Sequence, residues 1–287
     1  MKPFFFNGSL RQFIGAVMIF FGCIGDAFAQ PLFYSAQQRL AMASGLRSAS
    51  VHPFSAAVNP AAIASSTAVS WAVGGEQRFL APGWMELAAA VVLPGREDAW
   101  GVFFGQEGLP FSFDQLLMVT YARTILEQVS VGASIGVNRK KVTSATAHIM
   151  PAAAVGVILP ISAVLKTGIS YTRFSTRTSK VEENSGLSFL RCLLAYEPTE
   201  KINLVAALSK ESNWPAAGFF SVQYRPLQRI GFSAGFSGFP SLCWIGFQLG
   251  IGATVSLQLH SGFYQLTGLS NGMSLVKSAD QKKGDGP

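Results

Sequence analysis

Two pentapeptides have the spacing of a nucleophile elbow, Gly132-Ala133-Ser134-Ile135-Gly136 and Gly231-Phe232-Ser233-Ala234-Gly235. In such an elbow the serine stands on a sharp strand-to-helix turn, and a histidine takes its proton during acyl transfer. Neither copy meets that demand, because both fall in the middle of alternating, strand-like segments. Gly and Ser there fill one face of a strand. The three histidines, His52, His148 and His260, are scattered and have no metal-ligand spacing. Gly250-Ile251-Gly252 continues a strand pattern and opens no phosphate loop. The residues that could do chemistry therefore predict no catalytic centre, no metal and no cofactor.

The elements that hold these residues begin with a leader. Lys2 and Arg11 precede an uncharged apolar run, Phe13 to Phe21, and Ala27-Phe28-Ala29 supplies the small residues of a cleavage site. Residues 1–29 are thus expected to be a cleaved signal peptide. The rival reading, a lipoprotein box at Phe20-Phe21-Gly22-Cys23, places Phe where smaller residues are usual. Cleavage removes Lys2, Arg11 and Asp26, so the formal charge falls from 22 − 15 = +7 to 20 − 14 = +6. No basic stripe with interleaved aromatics accompanies that charge, so nucleic acid is not an expected partner; acidic lipid headgroups suit it better. Cys192 and Cys243 remain, too few for a disulfide-built domain. Whether they pair is open at this stage.

Composition then sets the fold class. Apolar residues make up 49% of the chain and charged residues 13%, yet after the leader no long uninterrupted apolar run appears. The nearest, Ile149 to Leu165, is broken by Pro151 and Pro160. An apolar chain that avoids helices can still cross a bilayer as a closed barrel, where every backbone group pairs between strands. That requires alternation with a period of two. Val129, Val131, Ala133, Ile135 and Val137 alternate with Ser130, Gly132, Ser134, Gly136 and Asn138. Ile245, Phe247, Leu249 and Ile251 likewise alternate with Gly246, Gln248, Gly250 and Gly252. The non-apolar face is too poor in charge for the surface of a soluble sandwich.

About fourteen such segments follow Val69, with twelve as the alternative, since single-chain bacterial barrels have even strand numbers. The expected class is all-β, a transmembrane antiparallel up-and-down barrel with a short N-terminal helical segment inside or under it. Turn-like stretches such as Pro94-Gly95-Arg96-Glu97-Asp98 and Glu197-Pro198-Thr199-Glu200 separate the strands. Trp71, Trp84, Trp100, Tyr121, Tyr171, Tyr196, Trp214, Tyr224 and Trp244 lie within or near strand ends, as in an interfacial belt. Arg191 spoils the alternation of Leu187–Tyr196. The organisation reads as leader 1–29, periplasmic or luminal segment 30–66, barrel 67–278 and polar tail 279–287.

Within 30–66, His52 to Ala64 holds a helix start at Asn59-Pro60-Ala61-Ala62-Ile63-Ala64: Asn59 caps the first free amides, and Pro60 needs no donor at the first position. This stretch, the preceding Arg47-Ser48-Ala49-Ser50-Val51, the later Glu76-Gln77-Arg78-Phe79 and Tyr121-Ala122-Arg123, and the closing Leu266-Thr267-Gly268-Leu269-Ser270 and Met273-Ser274-Leu275 carry a family likeness. Together they resemble the FadL-like and PorV/PorQ-like outer-membrane barrels of Bacteroidota, in which an NPA-x-[LI]-A segment leads into the first strand. The chain ends in a polar run to Pro287 instead of the terminal aromatic usual in such barrels.

The resemblance implies a non-enzymatic protein of the Gram-negative outer membrane, in contact with outer-membrane lipids. Its first implied role is that of a type IX secretion accessory, binding a translocon barrel or secreted cargo. The alternative is a FadL-like channel for hydrophobic small molecules. In that role, His52, Asn59, Pro60 and Ile63 would belong to a hatch packed against small luminal side chains. A third class, a lipid-modifying barrel enzyme, needs a Ser/His pair at one membrane level.

Overall fold

A computed structural model of the chain describes residues 36–44, 46, 51–125, 128–141, 147–175, 187–212, 214–238, 241–252, 254–265 and 267–278. The expected leader 1–29, all of the long loop expected from Ser175 to Gly186 except Ser175, and the tail 279–287 lie outside the described residues. Strands β1 (Ser70–Gln77), β2 (Met85–Pro94), β3 (Asp98–Leu109), β4 (Ser112–Ile125), β5 (Val129–Lys141), β6 (His148–Pro160) and β7 (Leu165–Phe174) form the first half. The second half comprises β8 (Ser188–Thr199), β9 (Ile202–Glu211), β10 (Ala217–Leu227), β11 (Ile230–Gly238), β12 (Ser241–Gly250), β13 (Val255–Tyr264) and β14 (Gly268–Lys277). Each strand pairs antiparallel with its neighbours in sequence, and β14 closes on β1 from Trp71↔Lys277 to Gln77↔Asn271. The strand number is fourteen, not twelve.

Alternation decides which face is which. Ile135 is 71% exposed and Ile245 66%, whereas Ser134, between apolar neighbours, is 2% exposed. Large apolar side chains thus cover the outside and small or polar ones face the lumen. In water that exterior would be an aggregation hazard; in a bilayer it is the stable arrangement. One end of the barrel has the short connections, such as 95–97, 200–201 and 228–229, and the other has longer ones, including 78–84 and 175–187. Trp71, Trp100, Tyr121 and Tyr224 lie near the short-turn end on the outward register. Trp244 does not join that girdle: it is buried on the luminal register and stacks on Phe219 at 6.4 Å. Arg191 is likewise no flaw in β8, because it shares the luminal face with Phe189 and Leu193. Cys192 and Cys243 are both free.

The N-terminal segment fills much of the lumen. It comprises helix α1 (Ala36–Ser44) and two single 3-10 turns, η1 (Pro53–Ala57) and η2 (Pro60–Ile63). The cap expected at Asn59 closes η2, where Ala61 N donates to Asn59 Oδ1 at 3.0 Å, and His52, not expected in that role, caps η1, where Phe54 N donates to His52 Nδ1 at 3.3 Å. Proline follows each cap, where its missing N–H is not needed. Short turns of this kind have little stability alone. Their stability comes from the wall they dock on, where Phe54, Ile63 and Val58 are fully buried and each contributes about 1.5–3 kcal/mol.

That wall is made of glycine. A Cβ at Gly132 would lie 2.5 Å from the Pro60 carbonyl carbon, one at Gly168 3.0 Å from Asn59 Nδ2, and one at Gly156 would overlap Asn59 Oδ1. Polar bonds then pin the segment: Asn59 Nδ2 to Val157 O at 3.3 Å, Ser170 Oγ to Val58 O at 2.7 Å and Asn203 Nδ2 to Ala43 O at 2.8 Å. Gly156→Ala should therefore leave the barrel intact but unseat η2. Limited proteolysis should cut the N-terminal segment of this variant faster than wild type while heat-modifiable gel migration persists, and equal cleavage rates would refute the glycine seat.

Candidate luminal site

At the long-loop end, luminal parity gathers charges that are far apart in sequence. Glu76 ends β1, Glu86 starts β2, Glu107 ends β3 and Tyr264 ends β13. Two arginines enter among them from elsewhere. Arg39 of α1 donates to Tyr264 Oη at 2.6 Å and to Glu76 Oε1 at 3.0 Å. Arg78 comes from the β1–β2 connection and meets Glu107 at 2.6 Å and Glu86 at 3.6 Å. Both arginines are 2% exposed.

The backbone turns Arg78 inward through an unusual local shape. Phe79 and Leu80 both have positive φ, 56° and 50°, a conformation that side chains with a Cβ rarely adopt. Tertiary contacts hold it: Phe79 N donates to Ser270 Oγ at 3.0 Å, and its ring meets Trp84 and Tyr264 edge-on. Burial works against charge on Arg78, but Glu107, Tyr264, Glu86 and Glu76 outweigh it and hold its pKa above the ordinary value. The cluster therefore ties α1, the β1–β2 connection and three strand ends together by charge.

Of the four expected hatch residues, three come together. Asn59 and Pro60 lie on the glycines of β5, β6 and β7, and Ile63 Cδ1 lies 2.9 Å from where a Gly101 Cβ would be. His52 sits elsewhere, beside a cavity of about 30 Å³ lined by Gln223, Arg225 and Gln258 on β10 and β13. Burial pushes its imidazole down to about 4.

A second cavity, about 80 Å³, lies in the long-loop half of the lumen above η1, with Ala57 on its wall. Phe103, Leu116, Met118 and Phe174 give it an apolar side, and Glu86, Glu107, Asp114 and Asn138 a polar one. Outside the barrel, an apolar groove of about 740 Å³ runs over Phe232, Ile245, Phe247 and Leu259 and reaches the thin wall at Gly246 and Gly272.

Neither serine of the elbow-like pentapeptides has the surroundings of a nucleophile. Ser134 Oγ shares a hydrogen bond with Thr120 Oγ1 at 2.7 Å. Ser233 and His260 do share one level, as both pair with Gly246. The imidazole, however, lies over Gly272 on the far side, and neither ring nitrogen has a hydrogen-bond partner. Among the described residues no cluster of three or more His, Cys, Asp or Glu could hold a metal.

Sequence reasoning missed the charge cluster. Glu76-Gln77-Arg78-Phe79 was noticed as a motif, but its meaning depends on Arg39 and Glu107, which only barrel closure brings near.

Comparison with known proteins gives a fold likeness. No family model matches the chain, and no curated protein matches it in sequence. The toluene transporter TodX of Pseudomonas putida is similar over 89% of this chain and 100% of its own, at 10% identity and a TM-score of 0.63. A Pseudomonas aeruginosa FadL homologue matches 83% of this chain and 98% of its own, at 9% identity and a TM-score of 0.57. The toluene transporter TbuX of Ralstonia pickettii matches 82% and 96%, at 9% identity and a TM-score of 0.54.

Removing Arg78 would leave buried carboxylates uncompensated, which typically costs about 3–5 kcal/mol. Arg78→Met should lower the temperature at which the detergent-solubilised barrel loses its compact gel form, and Arg78→Met with Glu107→Gln should recover part of the loss. A wild-type midpoint for the single variant would show that the cluster does not stabilise the fold.

The acid response of His52 has a definite sign. Held near 4 when seated and titrating at the ordinary 6.5 when released, it stabilises seating fully above 6.5, and that contribution falls by about 1.4 kcal/mol per pH unit on the way down to 4. Protease sensitivity of the N-terminal segment should rise between about pH 7 and pH 4.5, less so in His52→Gln. Identical profiles for the two proteins would refute this.

Proposed function

We propose that the chain is an outer-membrane passage for small hydrophobic molecules, held closed by its own N-terminal segment. The observation that carries this reading is the docking of 52–64 on the glycines of β3, β5, β6 and β7, with a half-apolar cavity directly above it. A segment that only completed the fold would not need a cavity of this kind beside it. The fold relatives, among them a toluene transporter and a monoaromatic hydrocarbon channel, support the channel reading over the secretion-accessory one. They also support a non-enzymatic role.

Under this proposal residues 1–29 deliver the chain across the inner membrane, 30–66 close the lumen and 67–278 span the outer membrane. Asn59, Pro60 and Ile63 act as the hatch proper. His52 braces its other side. Binding of a translocon barrel or cargo, as in PorV/PorQ-like accessories, remains the competing role, with no described feature that favours it.

Proteoliposomes containing the full chain should take up ethylbenzene faster than protein-free vesicles. Asn59→Ala with Pro60→Ala removes a cap worth about 1 kcal/mol and the bond to Val157. Uptake should then rise several-fold, with heat-modifiable migration retained. Uptake equal to that of empty vesicles for wild type and double variant alike would overturn the passage reading, and co-purification with a large barrel or with cargo would favour the accessory one.

A further inference from the structure

Asn138 and Asp114 fix the chemistry of the cavity above η1. The Asp114 carboxylate can only accept, so the amide that meets its Oδ1 at 2.6 Å must present its NH2 there. Asn138 Oδ1 then faces away, and it is buried without a hydrogen-bond partner, on a residue only 5% exposed. Asn138 stands on the wall of the cavity. Buried acceptors are rarely left unpaired unless something else supplies the donor.

The carboxylates around the cavity share this bias. Glu86 and Glu107 also face it and accept only, when ionised. Arg78 is committed to those two carboxylates. Arg191, also on the wall, lies over the Phe189 ring at 5.3 Å and acts electrostatically on Glu211. Lys140 acts on Asp114 at the rim. Gln106 and Thr172, also on the wall, can donate as well as accept, while Phe103, Leu116, Met118 and Phe174 supply apolar surface for a compact body. Phe174 and Phe189 already meet edge to face at 5.9 Å, a geometry a third ring can extend.

We propose that this cavity selects small apolar molecules that carry a hydroxyl donor, such as alkylphenols, and discriminates against carboxylates of the same shape. This deepens the passage reading and rests on it. Asn138 Oδ1 receives the hydroxyl hydrogen, the apolar side receives the ring, and a carboxylate meets the like charge of Glu86, Glu107 and Asp114. Asn138 is the specificity-determining residue.

The test uses the full chain in detergent, with 4-ethylphenol, ethylbenzene and 4-ethylbenzoate as calorimetric probes. One buried hydrogen bond should make 4-ethylphenol bind about tenfold more tightly than ethylbenzene, and 4-ethylbenzoate should bind weakest. Asn138→Leu should abolish the advantage of the phenol, read as the ratio of the phenol and ethylbenzene affinities within the variant. Asn138→Ser, which withdraws the carbonyl with less change in the core, is the second variant should the first fail to show heat-modifiable migration. Equal binding of phenol and hydrocarbon, preference for the benzoate, or a phenol advantage that survives both variants would overturn the proposal. Proteoliposome uptake of ethylbenzene separates the two readings: uptake without phenol preference removes only this inference, and phenol preference without uptake removes only the passage.

Discussion

The structure depends on one constraint: in hydrocarbon, every backbone N–H and C=O must find a partner within the protein. Fourteen antiparallel strands closed on themselves meet it, with β14 returning to β1 over seven residue pairs. Closure leaves no free edge, so the exterior can be wholly apolar without inviting strand addition. It also creates an interior, and what fills that interior decides what the protein can do. Here the filling is the chain's own N-terminal segment, which brings backbone close to backbone wherever the wall has no side chains. Gly132, Gly156 and Gly168 are therefore complementary to Asn59 and Pro60 in the way a socket is to its insert.

Charge enters the interior only where it is matched. Arg39 and Arg78 lie among Glu76, Glu86, Glu107 and Tyr264, and the groups are mutually paired at 2.6–4.0 Å. Taking so many ions out of water is costly, and well-packed apolar residues of similar size often serve stability equally well. What the cluster provides is position: Arg39 fixes α1 against β1 and β13, and Arg78 fixes the β1–β2 connection over the lumen. The left-handed backbone at Phe79 and Leu80 is a further local cost offset by the same contacts. The two regions divide the labour, with glycine giving close approach at the short-turn end and ion pairs giving registry at the long-loop end.

Much of this was legible in the sequence, and the reason is periodicity. A strand places successive side chains on opposite faces, so Ser130, Gly132, Ser134, Gly136 and Asn138 declare themselves a luminal row without reference to any other part of the chain. The cap at Asn59 is local as well, since its side chain bonds an amide two residues on. Where the rule looked violated, at Arg191, the fault lay in expecting an uncharged lumen. Where an aromatic was assigned by its position near a strand end, as with Trp244, only its facing could correct the reading.

The sequence by itself determined the strands, their faces and the turn capped by Asn59, because each of these depends on neighbours within a few residues. Tertiary structure alone decided which luminal residues meet. Strand stagger and closure place Glu76 beside Arg39 and Glu107 beside Arg78, set Ser233 and His260 at one level while turning the imidazole away, and separate His52 from Asn59, Pro60 and Ile63. Those relations depend on the register of strands far apart in sequence, and a period of two carries no record of register between them.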